Sequence, residues 1–138
     1  MTEYRMYLLD THIVSYWMRG GPTIIGRLKE RSPSDLALSA VTLAEIFYGI
    51  EKSAVKKEER RLKMEKIASL LSIFSFDRQA AESYGRIRAY LESDGTVVSE
   101  RDIQIAAIAL ANRLTVVTHN VREFRRIEDL LIEEWAEP

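Results

Sequence analysis

The sequence predicts an α/β fold in three layers, with helices covering both faces of a short central parallel sheet. Short apolar runs predict the strands. Tyr7-Leu8-Leu9, Leu36-Ala37-Leu38-Ser39 and Leu114-Thr115-Val116-Val117-Thr118 are too brief for helices and suit buried strands. Segments with apolar residues at helical spacing separate them, and such alternation implies a parallel sheet. The 138 residues contain no repeat, low-complexity run or linker, so residues 1–138 read as one domain.

Taken in order, the first strand covers residues 6–9 and delivers Asp10 at its end. Residues 13–18 read as a short helix broken at Gly20-Gly21-Pro22, and residues 23–31 as another. Ser32-Pro33-Ser34-Asp35 is a turn into the second strand. Thr42 is placed to cap a helix carrying Leu43, Ile46, Phe47 and Ile50, with Glu45 three residues on as in a capping box. A charged helix spans residues 56–71, and Ile73-Phe74-Ser75-Phe76 is a short strand or extended link. Asp77 caps a helix whose stripe is Ala80, Tyr84, Ile87 and Leu91. Ser99 caps the next, with Ile103, Ala106, Ala107, Leu110 and Ala111 on one face. Ile105 and Ile108 make that helix apolar on its other sides too, so it belongs at the centre. The β-branched run 114–118 is the clearest strand. A short helix near 122–126 and a last strand near 130–132 complete the chain.

Composition excludes several chemistries. There is no cysteine, so no disulfide framework, cysteine zinc site or thiol nucleophile exists. No stretch approaches the roughly 18 apolar residues that span a bilayer. The N-terminus lacks the basic and apolar pattern of a signal peptide, so the cytoplasm is the expected location and no membrane partner is expected. The net charge of −1 does not by itself indicate a nucleic-acid partner.

Three acids interrupt apolar surroundings. Asp10 ends the first strand, Glu45 lies within Val41-Thr42-Leu43-Ala44-Glu45-Ile46-Phe47, and Asp102 leads into Ile103-Gln104-Ile105-Ala106-Ala107. A carboxylate near a core is costly unless a cation or hydrogen bonds compensate it. Hard divalent cations prefer such oxygen ligands, and a metal so held activates water and stabilises charge on a phosphate. The same acids have structural readings: Asp10 as a helix cap, Asp102 as a first-turn acid and Glu45 as part of a capping box. In parallel sheets the reactive edge lies beyond the carboxyl ends of the strands. Asp10 and His119-Asn120, each following a strand, are therefore expected on one edge.

Four segments in order resemble the motifs of PIN-domain proteins. They are Met6-Tyr7-Leu8-Leu9-Asp10-Thr11, the stretch from Ser39 to Ile50 carrying Glu45, the stretch from Gly95 to Ala107 carrying Asp102, and the stretch from Leu114 to Phe124 carrying Thr118 and Asn120. The resemblance covers essentially the whole chain and is greatest to the VapC-like toxin branch of toxin–antitoxin systems. It implies a PIN-like three-layer fold and an endoribonuclease dependent on Mg²⁺ or Mn²⁺. It also implies an RNA substrate, a homodimer and a cognate antitoxin. By position it makes Asp10, Glu45 and Asp102 the metal-binding acids, with Thr11 and Thr118 orienting them.

Two positions depart from the pattern. His12 stands where an Asn is frequent, and Asn120 where a further acid is frequent; Asn120 can still ligate or hold a water. Glu123 is a candidate replacement acid. His12 reads either as a phosphate or proton contact or as a hydrogen-bonding pocket residue, and Arg101 as a phosphodiester contact or a surface residue. The basic stretch Lys52 to Lys66 reads as an RNA-steering surface or a solvated face with pairs such as Glu59–Lys63. Tyr16, Trp17, Phe47 and Tyr48 suit a protein-binding surface or core packing. The alternative function is a catalytically weak PIN-like module acting by protein or RNA binding. A phosphatase built on an Asp nucleophile lacks its second acid, because His12 stands two residues after Asp10, and a receiver lacks both the acidic pair near the end of the first strand and the Lys after a late strand.

Overall fold

The structure is a computed structural model and describes residues 5–135. Five parallel strands form its sheet in the order β3-β2-β1-β4-β5. They are β1 (Tyr7–Leu9), β2 (Leu36–Ser39), β3 (Ser72–Phe74), β4 (Thr115–Val117) and β5 (Ile132–Glu133). Helices α1 (Thr11–Met18), α2 (Pro22–Lys29), α3 (Ala40–Glu51) and α4 (Lys57–Leu70) connect β1 to β3. Helices α5 (Arg78–Ser93) and α6 (Glu100–Asn112) precede β4, and α7 (Val121–Phe124) precedes β5.

Consecutive side chains of a strand face opposite ways, and β1 shows what that does here. Leu8 and Leu9 are both fully buried but belong to different cores. Leu8 packs with Ala37, Ile87, Leu91 and Val116, under α5 and α6. Leu9 packs with Ile13, Leu38, Ile46, Met64 and Trp135, on the side of α1 to α4. The expected three layers follow. Helix α6 is buried at Ile103, Ile105, Ala106, Ala107, Ile108 and Ala109, as its all-round apolar pattern predicts.

The expected caps Asp77 and Ser99 accept backbone N–H groups at Ala80 and Asp102. The third cap differs. Ser39, not Thr42, caps α3, and its hydroxyl accepts the Thr42 N–H at 3.0 Å. The reason is that β2 runs into α3 with no loop, so the extended Ser39 is already the last non-helical residue. Glu45 is therefore a second-turn residue with no capping duty. Of the four ring residues left open by the sequence, Tyr16, Trp17 and Phe47 pack against the second core, while Tyr48 is exposed. Among the described residues no helix is long and apolar enough to cross a membrane.

Candidate active site

The chain leaves β1 in the middle of the sheet, builds β2 and β3 to one side, then returns to build β4 and β5 on the other. This reversal opens a crevice past the carboxyl ends of β1 and β4, where ligands of such sheets bind. Asp10 lies there, and its N–H donates to the carbonyl of Val117 at 3.0 Å. Thr118, immediately after β4, donates its hydroxyl to Asp10 Oδ2 at 2.5 Å. The backbone N–H of Asn120 donates to that same hydroxyl at 2.8 Å. The two expected edge positions thus meet through a chain of hydrogen bonds, which polarise one another.

Asp10 Oδ1 caps α1 by accepting the Ile13 N–H at 3.0 Å, so the structural reading of this residue holds. Yet the residue is only 4% exposed, and an uncompensated buried carboxylate is costly. Burial pushes its carboxyl above the usual range, and the negative charge of Asp102 adds to the rise. The Thr118 hydroxyl, the Ile13 N–H and nearby His12 oppose it.

Asp102 stands in the first turn of α6, its backbone N–H donating to the Ser99 hydroxyl. Burial pushes its carboxyl up, as do the charges of Glu123 and Glu45, against Ser99 and Arg101. The Asn120 amide donates to Asp102 Oδ2 at 3.3 Å, tying the fourth segment to the third. Glu45 arrives from α3. Its Oε1 accepts the Thr11 hydroxyl at 2.7 Å, and its Oε2 is ion-paired with Arg101. His12 is exposed on the first turn of α1, and its influence on Asp10 is electrostatic. Glu123 is half-buried, pairs with Arg126 at 3.6 Å and still acts on Asp102.

The donor set decides which cation suits this edge. Among the described residues no group of three or more His, Asp or Glu side chains is placed to hold a metal ion. A small hard cation does not need one, because Mg²⁺ keeps several waters and takes one or two carboxylates. Asp10 and Asp102 are the carboxylates at this edge that such an ion would take; burial first, and neighbouring acids after it, raise their proton affinities, and a cation would oppose both effects. Glu45, held by Thr11 and Arg101, suits contact through a bound water. The residues fit Mg²⁺ or Mn²⁺ better than a structural zinc, which wants four nitrogen or sulfur ligands.

No local pattern in the sequence signals the partnership between Arg101 and Glu45, which are 56 positions apart in the chain and meet only through the packing of α3 beside α6.

The sequence matches the PIN domain family over residues 7–130. It is 36% identical over 132 residues to Ribonuclease VapC2 of Rickettsia felis, covering 94% of this chain and 98% of that protein. It is 37% identical over 130 residues to the tRNA(fMet)-specific endonuclease VapC of Salmonella typhimurium, with the same coverages. Among solved structures, DNA-bound VapBC from Salmonella typhimurium superposes with a TM-score of 0.89 at 35% identity, over 96% of this chain and 99% of that one. VapBC2 from Rickettsia felis, bound to a promoter DNA fragment, gives 0.86 at 34% identity, over 95% and 99%.

Proposed function

The chain belongs to the PIN-domain family, and from that premise we propose that it is a metal-dependent endoribonuclease, the toxin of a toxin–antitoxin pair. The observation that supports this reading is that Asp10 and Asp102, and Asp102 and Glu45, act on one another electrostatically past the carboxyl ends of β1 and β4. Relatives named as ribonucleases and a tRNA endonuclease support an RNA substrate. Solved complexes of the VapBC family of toxin–antitoxin systems support an antitoxin as protein partner, and the family resemblance alone implies a homodimer.

Asp10 and Asp102 are the residues that would hold Mg²⁺ or Mn²⁺, with Glu45 alongside. When bound, such an ion lowers the pKa of coordinated water and stabilises charge developing on the phosphodiester. The protein's own contributions are positional. Thr118 fixes the rotamer of Asp10, and Thr11 with Arg101 fixes Glu45. Asn120, already bonded to Asp102, orients a water or a phosphate oxygen at the same edge. Arg101 is 61% exposed, so it can turn toward a phosphate once one arrives. No side chain serves as nucleophile; water is the attacking group.

The direct test is incubation of a mixed RNA pool with purified protein in Mg²⁺, in Mn²⁺ and in chelator, beside Asp102→Asn. Cutting that needs metal and vanishes in the variant is the expected outcome. Cutting that persists in chelator or in the variant overturns the assignment. Intact RNA throughout would favour a binding module.

Thr118→Val tests the support for Asp10. The substitution keeps the shape and removes the hydroxyl that Asp10 accepts. Loss of a hydrogen bond orienting a metal ligand typically costs about 10–100-fold in affinity. Mn²⁺ titration calorimetry should show a loss of that size, and unchanged affinity would remove Thr118 from the site.

A further inference from the structure

Beside the acids lies a groove of about 530 Å³ between α1, α3 and α4. Thr11 and Glu45 line it, so it is continuous with the carboxylate edge. Its α4 wall carries Glu59, Arg60 and Lys63 at i, i+1 and i+4, with Lys56 at the N-cap just before the helix. Arg19, just past the end of α1, adds a fourth cation.

The two sides of α4 differ in how their charges are satisfied. On the neighbouring face, Lys57 pairs with Glu51 at 3.4 Å, and Arg61 reaches Glu51 at 3.8 Å and Glu65 at 4.0 Å. Arg19, Lys56, Arg60 and Lys63 make no ion pair with a carboxylate among the described residues. Lys63 reaches the Met18 carbonyl at 3.4 Å, Arg60 donates to the Ser53 hydroxyl, and Arg19 lies over the Tyr16 ring. All four are exposed. Of the two acids lining the groove, Glu45 is already neutralised by Arg101, which leaves Glu59 against four cations. The net positive field sits on the groove, although the chain as a whole carries −1.

We propose that this groove carries the single RNA strand flanking the scissile linkage, with Lys56, Arg60, Lys63 and Arg19 holding its backbone phosphates. The proposal rests on the nuclease reading and assigns the path of the substrate. From the N-cap Lys56 to Lys63 the chain rises about 10 Å at the helical 1.5 Å per residue. That is the length of about three stacked nucleotides at 3.4 Å each. Contacts to phosphate position a strand without reading its bases, so the groove fixes register and leaves sequence choice to other residues.

The test is binding of a fluorescein-labelled single-stranded RNA of mixed sequence to the full chain, across a salt series and in chelator so that no strand is cut. Arg60→Gln/Lys63→Gln is compared with Lys57→Gln/Arg61→Gln, which removes the same charge from the ion-paired face. All four residues are exposed, and circular dichroism verifies folding. Losing two phosphate contacts lowers the slope of log affinity against log salt by about 1.4 and weakens binding roughly twentyfold near 0.1 M salt. The control pair should change both far less. Equal losses in the two double variants, or wild-type binding by the groove variant, overturns the proposal. If the groove variant binds normally while metal-dependent cutting still vanishes in Asp102→Asn, the nuclease reading stands and the groove belongs to another occupant, such as a protein segment. If wild-type protein neither binds nor cuts RNA, both readings fall.

Discussion

Asp10→Asn is expected to abolish metal-dependent RNA cleavage while making the metal-free protein more stable at neutral pH. The two effects share one cause. Asn caps a helix as well as Asp does, so its Oδ1 can keep the Ile13 N–H and α1 should start unchanged. What disappears is a negative charge at a position only 4% exposed. Burial raises the folded-state pKa of Asp10, so the native state binds this proton more tightly than the unfolded chain does. For such a group, ionisation costs stability at neutral pH, and the cost fades as pH falls through the folded-state pKa. Thermal denaturation in chelator should therefore show the variant melting above wild type at pH 7, with the gap closing under acid conditions. Added Mn²⁺ should reverse the order. A ligand at 100 times its Kd stabilises by about 2.7 kcal/mol, a gain open to wild type and denied to a variant that cannot hold it. Disturbing a residue that merely orients a ligand costs about 10–100-fold, so losing a charged ligand should cost on the order of 10³-fold or more in cleavage. A variant that melts lower than wild type in chelator, or cuts RNA at a comparable rate, would sink this account of Asp10.

Trp135→Ala should cost about 3–5 kcal/mol, the range for emptying a buried aromatic site. Trp135 is fully buried at the end of the described chain. Its ring meets that of Tyr7 at 5.4 Å between centroids, tilted by 53°. The Arg31 guanidinium lies 4.4 Å from the indole centroid and 4.7 Å from the Tyr7 centroid, so one cation serves two rings. The indole N–H donates to Glu133 at 2.9 Å. The cluster ties the two-residue strand β5 and the segment after α2 to β1. For a chain of this length the loss corresponds to a fall in Tm of roughly 10–20 °C. The effect should reach the site, because the Thr118 N–H donates to the Glu133 carbonyl at 3.0 Å and Thr118 supports Asp10. Urea denaturation measures the first consequence and Mn²⁺ affinity the second. A loss below about 1 kcal/mol, the size of an ordinary surface change, would show that the ring is not what closes this edge.

Much of this architecture was legible from local pattern. A strand too short to be anything else leads into Asp10, and an all-round apolar helix carries Asp102 in its first turn; both patterns report burial directly. The caps Asp77 and Ser99 were readable because each stands alone before a periodic run. The cap of α3 is not legible from local pattern because Ser39 and Thr42 are both competent, and only the end of β2 chooses between them. Fold class and the candidate acids were thus determined by sequence alone, since side-chain periodicity and an acid amid apolar residues are properties of neighbouring positions. The strand order that sets Thr118 against Asp10, the Arg101–Glu45 pair and the groove shared by Arg19 and α4 were decided by tertiary structure. They depend on which distant segments pack side by side, and that follows from how the crossovers fill two cores at once, a constraint no single stretch of the chain carries.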